Sequence, residues 1–176
     1  NSGRSVAFNA AGNRIIIGAN GNNGSAPYSG HARVYDWDGS AWTQVGGDIN
    51  GEAGSDYSGW KVAMNNAGNR VLVGAIYNTG NGYRAGHARM FSYDGTNWVQ
   101  MGSDIDGENA EDEFSWSAAM NGTGSRVVIS AYKNDGTGTN AGHTRIFDWD
   151  GTAWNQLGSG IDAEAAEDQA GYAVSM

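Results

Sequence analysis

The sequence contains no cysteine, a single proline at Pro27, and only two lysines, Lys61 and Lys133. Without cysteine there can be no disulfide, thiol nucleophile or thiolate metal site, although the redox compartment stays open because a sufficient core needs no bridges. Ten Lys and Arg against nineteen Asp and Glu give a net charge of -9, a poor match for a phosphate backbone, so nucleic acid is not expected as a partner. There is no apolar run of about 18 residues, and the chain opens at Asn1 with neither a charged n-region nor an apolar h-region. Membrane insertion is therefore not expected, and the chain reads as soluble, either processed or excerpted from a longer one. Helical periodicity is missing throughout.

Glycine is abundant, at 29 of 176 residues, and recurs at fixed offsets among aromatic and branched residues, which suits tight turns and not a flexible tract. The offsets reveal a repeat. Gly30-His31-Ala32-Arg33 returns as Gly86-His87-Ala88-Arg89 and as Gly142-His143-Thr144-Arg145, a period of 56 that also links Trp42, Trp98 and Trp154. The units are 2–57, 58–113 and 114–169, and residues 170–176 begin a fourth. All of 1–176 is one repeat array.

Each unit predicts four strands. Arg4 to Asn9 alternates with Val6 and Phe8 on one side, the mark of a half-buried strand. Arg14 to Ala19 is a β-branched run of the kind buried on both faces. His31 to Trp37 alternates again and ends at Asp38-Gly39, a two-residue hairpin signal that implies a type I′ turn. Ala41 to Val45 is the fourth strand, and an acidic loop from Gly46 to Asp56 leads onward. Four antiparallel strands per unit predict an all-β fold, a β-propeller-like array of three four-stranded blades. Tandem β-sandwich modules or a solenoid are the alternative. Three blades cannot close a conventional ring, so further copies of the chain or further blades of the same chain are expected as partners.

Ser58-Gly59-Trp60-Lys61-Val62-Ala63-Met64 followed by Arg70-Val71-Leu72-Val73-Gly74-Ala75 is similar to the FG-GAP repeat of integrin α-chain propellers and of many secreted bacterial and algal proteins. The similarity spans the chain in a loose form. The resemblance implies adhesion, ligand display or carbohydrate binding, outside the cell or at its surface. Family members often carry a calcium loop between these two strands, but here that connection is Asn65-Asn66-Ala67-Gly68-Asn69, without a carboxylate, so calcium does not carry over to it.

The acidic loop offers another place for calcium. Asp48, Asn50, Glu52 and Asp56, and again Asp104, Asp106, Glu108 and Asp112, place oxygen ligands at relative positions 1, 3, 5 and 9. The third unit replaces the first ligand with Gly160. A solvated turn held by Asx bonds to backbone amides is the competing reading. The three histidines, one per unit, are expected to bond neighbouring backbone or an acid and not to form a metal triad. Trp42, Trp98 and Trp154 are expected to be buried between blades, with sugar stacking as the alternative. Asn23-Gly24-Ser25 and Asn121-Gly122-Thr123 match the glycosylation acceptor pattern at Asn23 and Asn121.

No nucleophile with a local base, phosphate-cradling loop or zinc spacing is present, and near-identical copies lack the asymmetry that acid and base catalysis needs. The expectation is a non-enzymatic structural or adhesion protein. The alternative is a lectin that presents the variable loops Asn20 to Gly30, Ile76 to Gly86 and Tyr132 to Gly142 to glycans.

Overall fold

The computed structural model describes residues 2–176 and places them in three antiparallel sheets of the same design. The first blade comprises β1 (Ser5–Phe8), β2 (Arg14–Ala19), β3 (His31–Trp37), β4 (Trp42–Gln44) and β5 (Ile49–Asn50). The second comprises β6 (Ser58–Met64), β7 (Arg70–Ala75), β8 (His87–Tyr93), β9 (Trp98–Gln100) and β10 (Ile105–Asp106). The third comprises β11 (Ala118–Met120), β12 (Arg126–Ala131), β13 (His143–Trp149), β14 (Trp154–Gln156) and β15 (Ile161–Asp162). In every blade the first four strands pair in chain order, as a propeller-like meander does. No helix among the described residues is long and apolar enough to cross a membrane.

Two local features differ from the sequence expectation. A short fifth strand, drawn from the acidic loop, pairs with the start of the third strand, as in His31 opposite Asn50 and Ala32 opposite Ile49. The Asp-Gly hairpin is not a two-residue type I′ turn. Trp37 pairs with Trp42, so residues 38–41 form the loop, and of the Asp-Gly pair only Gly39, at φ 101°, takes the left-handed region. The physical reason is the Asp38 carboxylate, whose Oδ1 accepts from the amides of Ser40 and Ala41 at 2.8 Å each. This Asx arrangement closes a wider turn and relieves Asp38 of positive φ. Asp94 and Asp150 do the same.

The turn between first and second strands, which has no carboxylate, closes on itself. Asn65 Oδ1 accepts from the amides of Asn69 and Arg70, and Asn9 and Asn121 repeat the arrangement.

The core lies between blades. Ile16, Val34 and Ile49 of the first pack on Val62, Val71 and Val73 of the second, and Leu72, Met90 and Ile105 of the second pack on Val127, Ile129 and Phe147 of the third. Each such aliphatic side chain contributes about 1.5 to 3 kcal/mol when removed from water. Polar contacts repeat at the same junctions. Trp98 Nε1 donates to Val45 O at 2.9 Å and Trp154 Nε1 to Met101 O at 3.0 Å. Arg14 and Arg70 each reach forward to the glycine carbonyl of the next blade's turn, Gly68 O and Gly124 O, at 3.1 Å.

The end faces lack these covers. Phe8, Ile15, Ile17, Tyr35 and Trp42 line a shallow apolar cleft on the first blade. Their counterparts Met64, Val71, Val73 and Phe91 are buried by a neighbour. On the third blade Leu157 and Ile161 are exposed, whereas Met101 and Ile105 are buried. Trp42 therefore departs from the expected burial, being 43% exposed because no neighbouring blade among the described residues covers its face, and Trp98 and Trp154 are half-buried. Val174 at the start of the fourth unit donates its amide to Ser117 Oγ at 3.1 Å, as Val62 donates to Ser5 Oγ. Residues 170–176 thus lie where a next unit's first strand would begin, although they form no strand.

Candidate functional site

The acidic-loop residues are distributed among different partners. Asp48 accepts a two-point bond from Arg33 at 2.7 and 2.8 Å and a third from Gln44, and the guanidinium holds its carboxyl down at about 2. Asn50 gives its backbone carbonyl to Arg89 Nη2 of the next blade at 2.7 Å, and Asp106 gives its own to Arg145 at 2.6 Å. Asp56 is buried and accepts from Ala53 N and Asn78 Nδ2, and Asp112 likewise from Asn109 N and Asn134 Nδ2. Burial pushes Asp112 up. These carboxylates fasten the end of one unit to the loop of the next.

Glu52 and Glu108 also face across the junction. Glu52 lies 3.3 Å from Arg89 and 3.9 Å from His87, and Glu108 lies 3.5 Å from Arg145 and 3.7 Å from His143. Asp104, on His87 at 3.3 Å, is lowered by that bond. Glu52, His87 and Asp104 bring three ligand atoms within 4.8 Å of one another. An imidazole with two carboxylates is a borderline donor set and not the all-oxygen set that calcium prefers, and Arg89 already supplies a cation there. Of the residues named from the sequence as calcium ligands, Asp48 is tied to Arg33, Glu52 faces Arg89, and Asp56 bonds Ala53 N and Asn78. Asn121 closes a turn with its side-chain oxygen, and the exposed Asn23 accepts from Tyr28 N at 2.8 Å.

His143 is held below the ordinary imidazole range, chiefly by burial, with Glu108, Asp112 and Asp162 opposing and Arg145 assisting. His31 is lowered too, by burial and then by Arg33. A lowered folded pKa means that below about pH 6.5 the unfolded chain binds more protons than the folded one. The stabilisation is complete above that value and is lost as pH falls through the folded pKa. Thermal unfolding should show a falling midpoint between pH 7 and 5, and His143→Gln should flatten part of that fall. A midpoint that rises on acidification would contradict this assignment.

A different region gathers side chains that vary from unit to unit. At each junction the loop before the Gly-His pair meets the end of the preceding acidic loop through backbone bonds, Ser55 N to Pro27 O, Glu111 N to Tyr83 O and Glu167 N to Thr139 O. Three non-glycine residues per unit take positive φ here. Tyr28, Arg84 and Asn140 lie at 54°, 53° and 49°; Ser55, Glu111 and Glu167 at 67°, 67° and 64°; and Tyr57, Glu113 and Gln169 at 57°, 52° and 52°. The backbone is thus the same in every unit, while most of its side chains change. Position 77 is Tyr where the other units have Gly21 and Lys133, and position 83 is Tyr where they have Pro27 and Thr139. A constant frame with varied side chains is how a binding surface is diversified without cost to the fold.

Two clefts occupy these places. Gly54, Ser55, Tyr57, Tyr77, Thr79, Tyr83 and Arg84 line the first, of about 300 Å³. The second, of about 590 Å³, is lined by Ala110, Glu111, Lys133, Asp135, Thr139 and Asn140, with Tyr83 as the shared wall. The variable loops pointed here from the sequence, but Tyr57 and Ser55, which come from the unit before, were not among the candidates. A second feature missed from the sequence is the row Arg4, Trp60, Trp116 and Tyr172, 56 residues apart. Arg4 lies 3.9 Å over the Trp60 ring, and the rings follow at 5.1 and 5.5 Å, linking first strands across blades.

No family model and no curated protein matches the chain. Among solved structures it is similar to a candidate 6-phosphogluconolactonase from Bacteroides uniformis, with TM-score 0.56 and 10% identity over 88% of this chain and 39% of that one. An acylaminoacyl peptidase from Pyrococcus horikoshii aligns with TM-score 0.47 and 11% identity, over 89% of this chain and 25% of that one. The chain therefore spans about two-fifths of the first protein and a quarter of the second. The first likeness shows a shared all-β fold and nothing of function.

Proposed function

We propose that this chain is a non-enzymatic structural or adhesion array, FG-GAP-like in its repeat, that works outside the cell as a rigid part of a larger propeller, fibre or filament. One observation carries the reading. The same blade-to-blade contacts recur at both internal junctions, and the faces that make them are open at the two ends, with Phe8 and Val6 on one side and Leu157 and Ile161 on the other. A further blade, from the same chain or a second copy, matches both faces. Exposed apolar patches of this kind mark association surfaces. Light scattering is the test. The 176-residue chain should associate with rising concentration, and Ile161→Glu should weaken that association. A monomer that unfolds cooperatively at micromolar concentration would sink the proposal.

A second reading is supported by the clefts between loops. Carbohydrate binding at the junctions would use the varied side chains, with several sites along one rigid frame adding their affinities. It is compatible with the array, since the clefts and the end faces are different surfaces.

A further inference from the structure

Arg84 is one of four basic side chains, with Arg4, Lys61 and Arg70, that face no carboxylate among the described residues. Arg14, Arg33, Arg89, Arg126, Lys133 and Arg145 all face a carboxylate. Arg84 does not. Its guanidinium lies 4.4 Å from the Tyr77 ring centre and 5.2 Å from that of Tyr83, and no hydrogen bond or ion pair among the described residues uses its N–H groups. Stacking satisfies the face of a guanidinium and leaves its five donors, all in the plane, still to be paired. Those donors suit a carboxylate, which they can hold at two points.

The surrounding groups fit a sugar ring. Tyr28, Tyr57 and Tyr77 continue the row, with ring centres 5.7 and 5.2 Å apart, and Tyr83 is 59% exposed. None of the hydroxyls of Tyr57, Tyr77 and Tyr83 bonds another described side chain, so each can serve a ligand hydroxyl. A pyranose has apolar C–H faces and polar edges, which match aromatic faces rimmed by hydroxyls. The cleft beyond Tyr83 has another character. Lys133 there is bound to Glu113 at 2.8 Å, while Glu111 and Asp135 would repel a second carboxylate and accept from neutral hydroxyls.

We infer that the two clefts form one groove for an acidic oligosaccharide that alternates uronate and neutral sugars, with a uronate carboxylate on Arg84, its ring against Tyr83 and a neutral residue beside Glu111 and Asp135. This rests on the carbohydrate-binding reading and adds the sugar class. The third unit supplies safe variants, because Asn140 and Thr139 stand where Arg84 and Tyr83 do, and Asn140 has nearly the same φ. Calorimetry on the full chain would use a hyaluronan hexasaccharide and its carboxyl-reduced form. The acidic sugar should bind saturably and the reduced form about 10- to 100-fold more weakly, the range expected for hydrogen bonds to a charged group. Arg84→Asn should abolish that difference, and Tyr83→Thr should weaken both sugars. Equal binding of the two sugars by the native chain would overturn the carboxylate assignment but keep saccharide binding. No saturable binding of either at millimolar concentration would overturn both. An oligogalacturonate that binds more tightly than hyaluronan would overturn the neutral second position.

Discussion

Replacing Gly86 by alanine is expected to lower stability by about 2 to 5 kcal/mol, the sum of a left-handed backbone penalty and an overpacked contact. Gly86 sits at φ 77°, where its loop turns into β8, and a Cβ there would lie 2.4 Å from Phe114 O and 2.8 Å from Phe114 N. Both atoms are backbone of the next unit, so neither can swing aside. Gly30 and Gly142 meet Ser58 O and Ala170 O in the same way. Gly95 provides the contrast. Its φ is 102°, but a Cβ would meet nothing within 4 Å, so alanine there should cost only about 1 to 2 kcal/mol of backbone strain. Urea denaturation of the two variants measures the difference. If they prove equal, the close approach of the loop to the following blade does not limit stability. Because Tyr83 and Arg84 lie three and two residues before Gly86, the Gly86 variant should also disturb the first cleft, whereas the Gly95 variant should not.

The regular part of the fold was legible because period-2 alternation and β-branched runs act within a few residues. The second and third strands, Arg14–Ala19 and His31–Trp37, agree with expectation to the residue. The fifth strand was not legible, since Ile49–Asn50 is too short to display a period and exists only because the start of β3 offers an edge. The turn at Asp38 was misread in type because its side chain, and not its φ, satisfies the amides. Carboxylate spacing in the acidic loop suggested convergence, yet the partners come from elsewhere. Arg89 is 39 residues beyond Asn50, on another blade, and no local pattern announces such a pair. The candidate groove was half visible. The variable loops marked Tyr77, Tyr83 and Arg84, but the pairing of each loop with the end of the preceding unit depends on how blades stack.

Alanine at Trp154 or Trp98 is expected to cost about 2 to 4 kcal/mol, somewhat less than a fully buried aromatic, and alanine at Trp42 less than about 1 kcal/mol. The three residues share a sequence position and a hairpin, and each ring lies against a cross-strand aromatic at 5.2 to 5.5 Å. What differs is the blade before them. Trp154 donates to Met101 O and packs beside the core that Met101 and Ile105 share with the third blade, and Trp98 donates to Val45 O. Trp42 finds no such carbonyl among the described residues, and its ring lies 6.1 Å from Phe8 of its own blade. Because hairpin and turn are common to all three, subtracting the Trp42 effect from the Trp154 effect isolates the junction: the indole bond, worth about 1 kcal/mol, and the apolar area sealed beneath the ring. Equal losses at all three positions would mean that the indole stabilises its own hairpin alone. Should addition of blades or copies cover the first face, Trp42 would gain a partner, and its alanine variant should then become as costly as the other two in the assembled state while staying mild in the monomer.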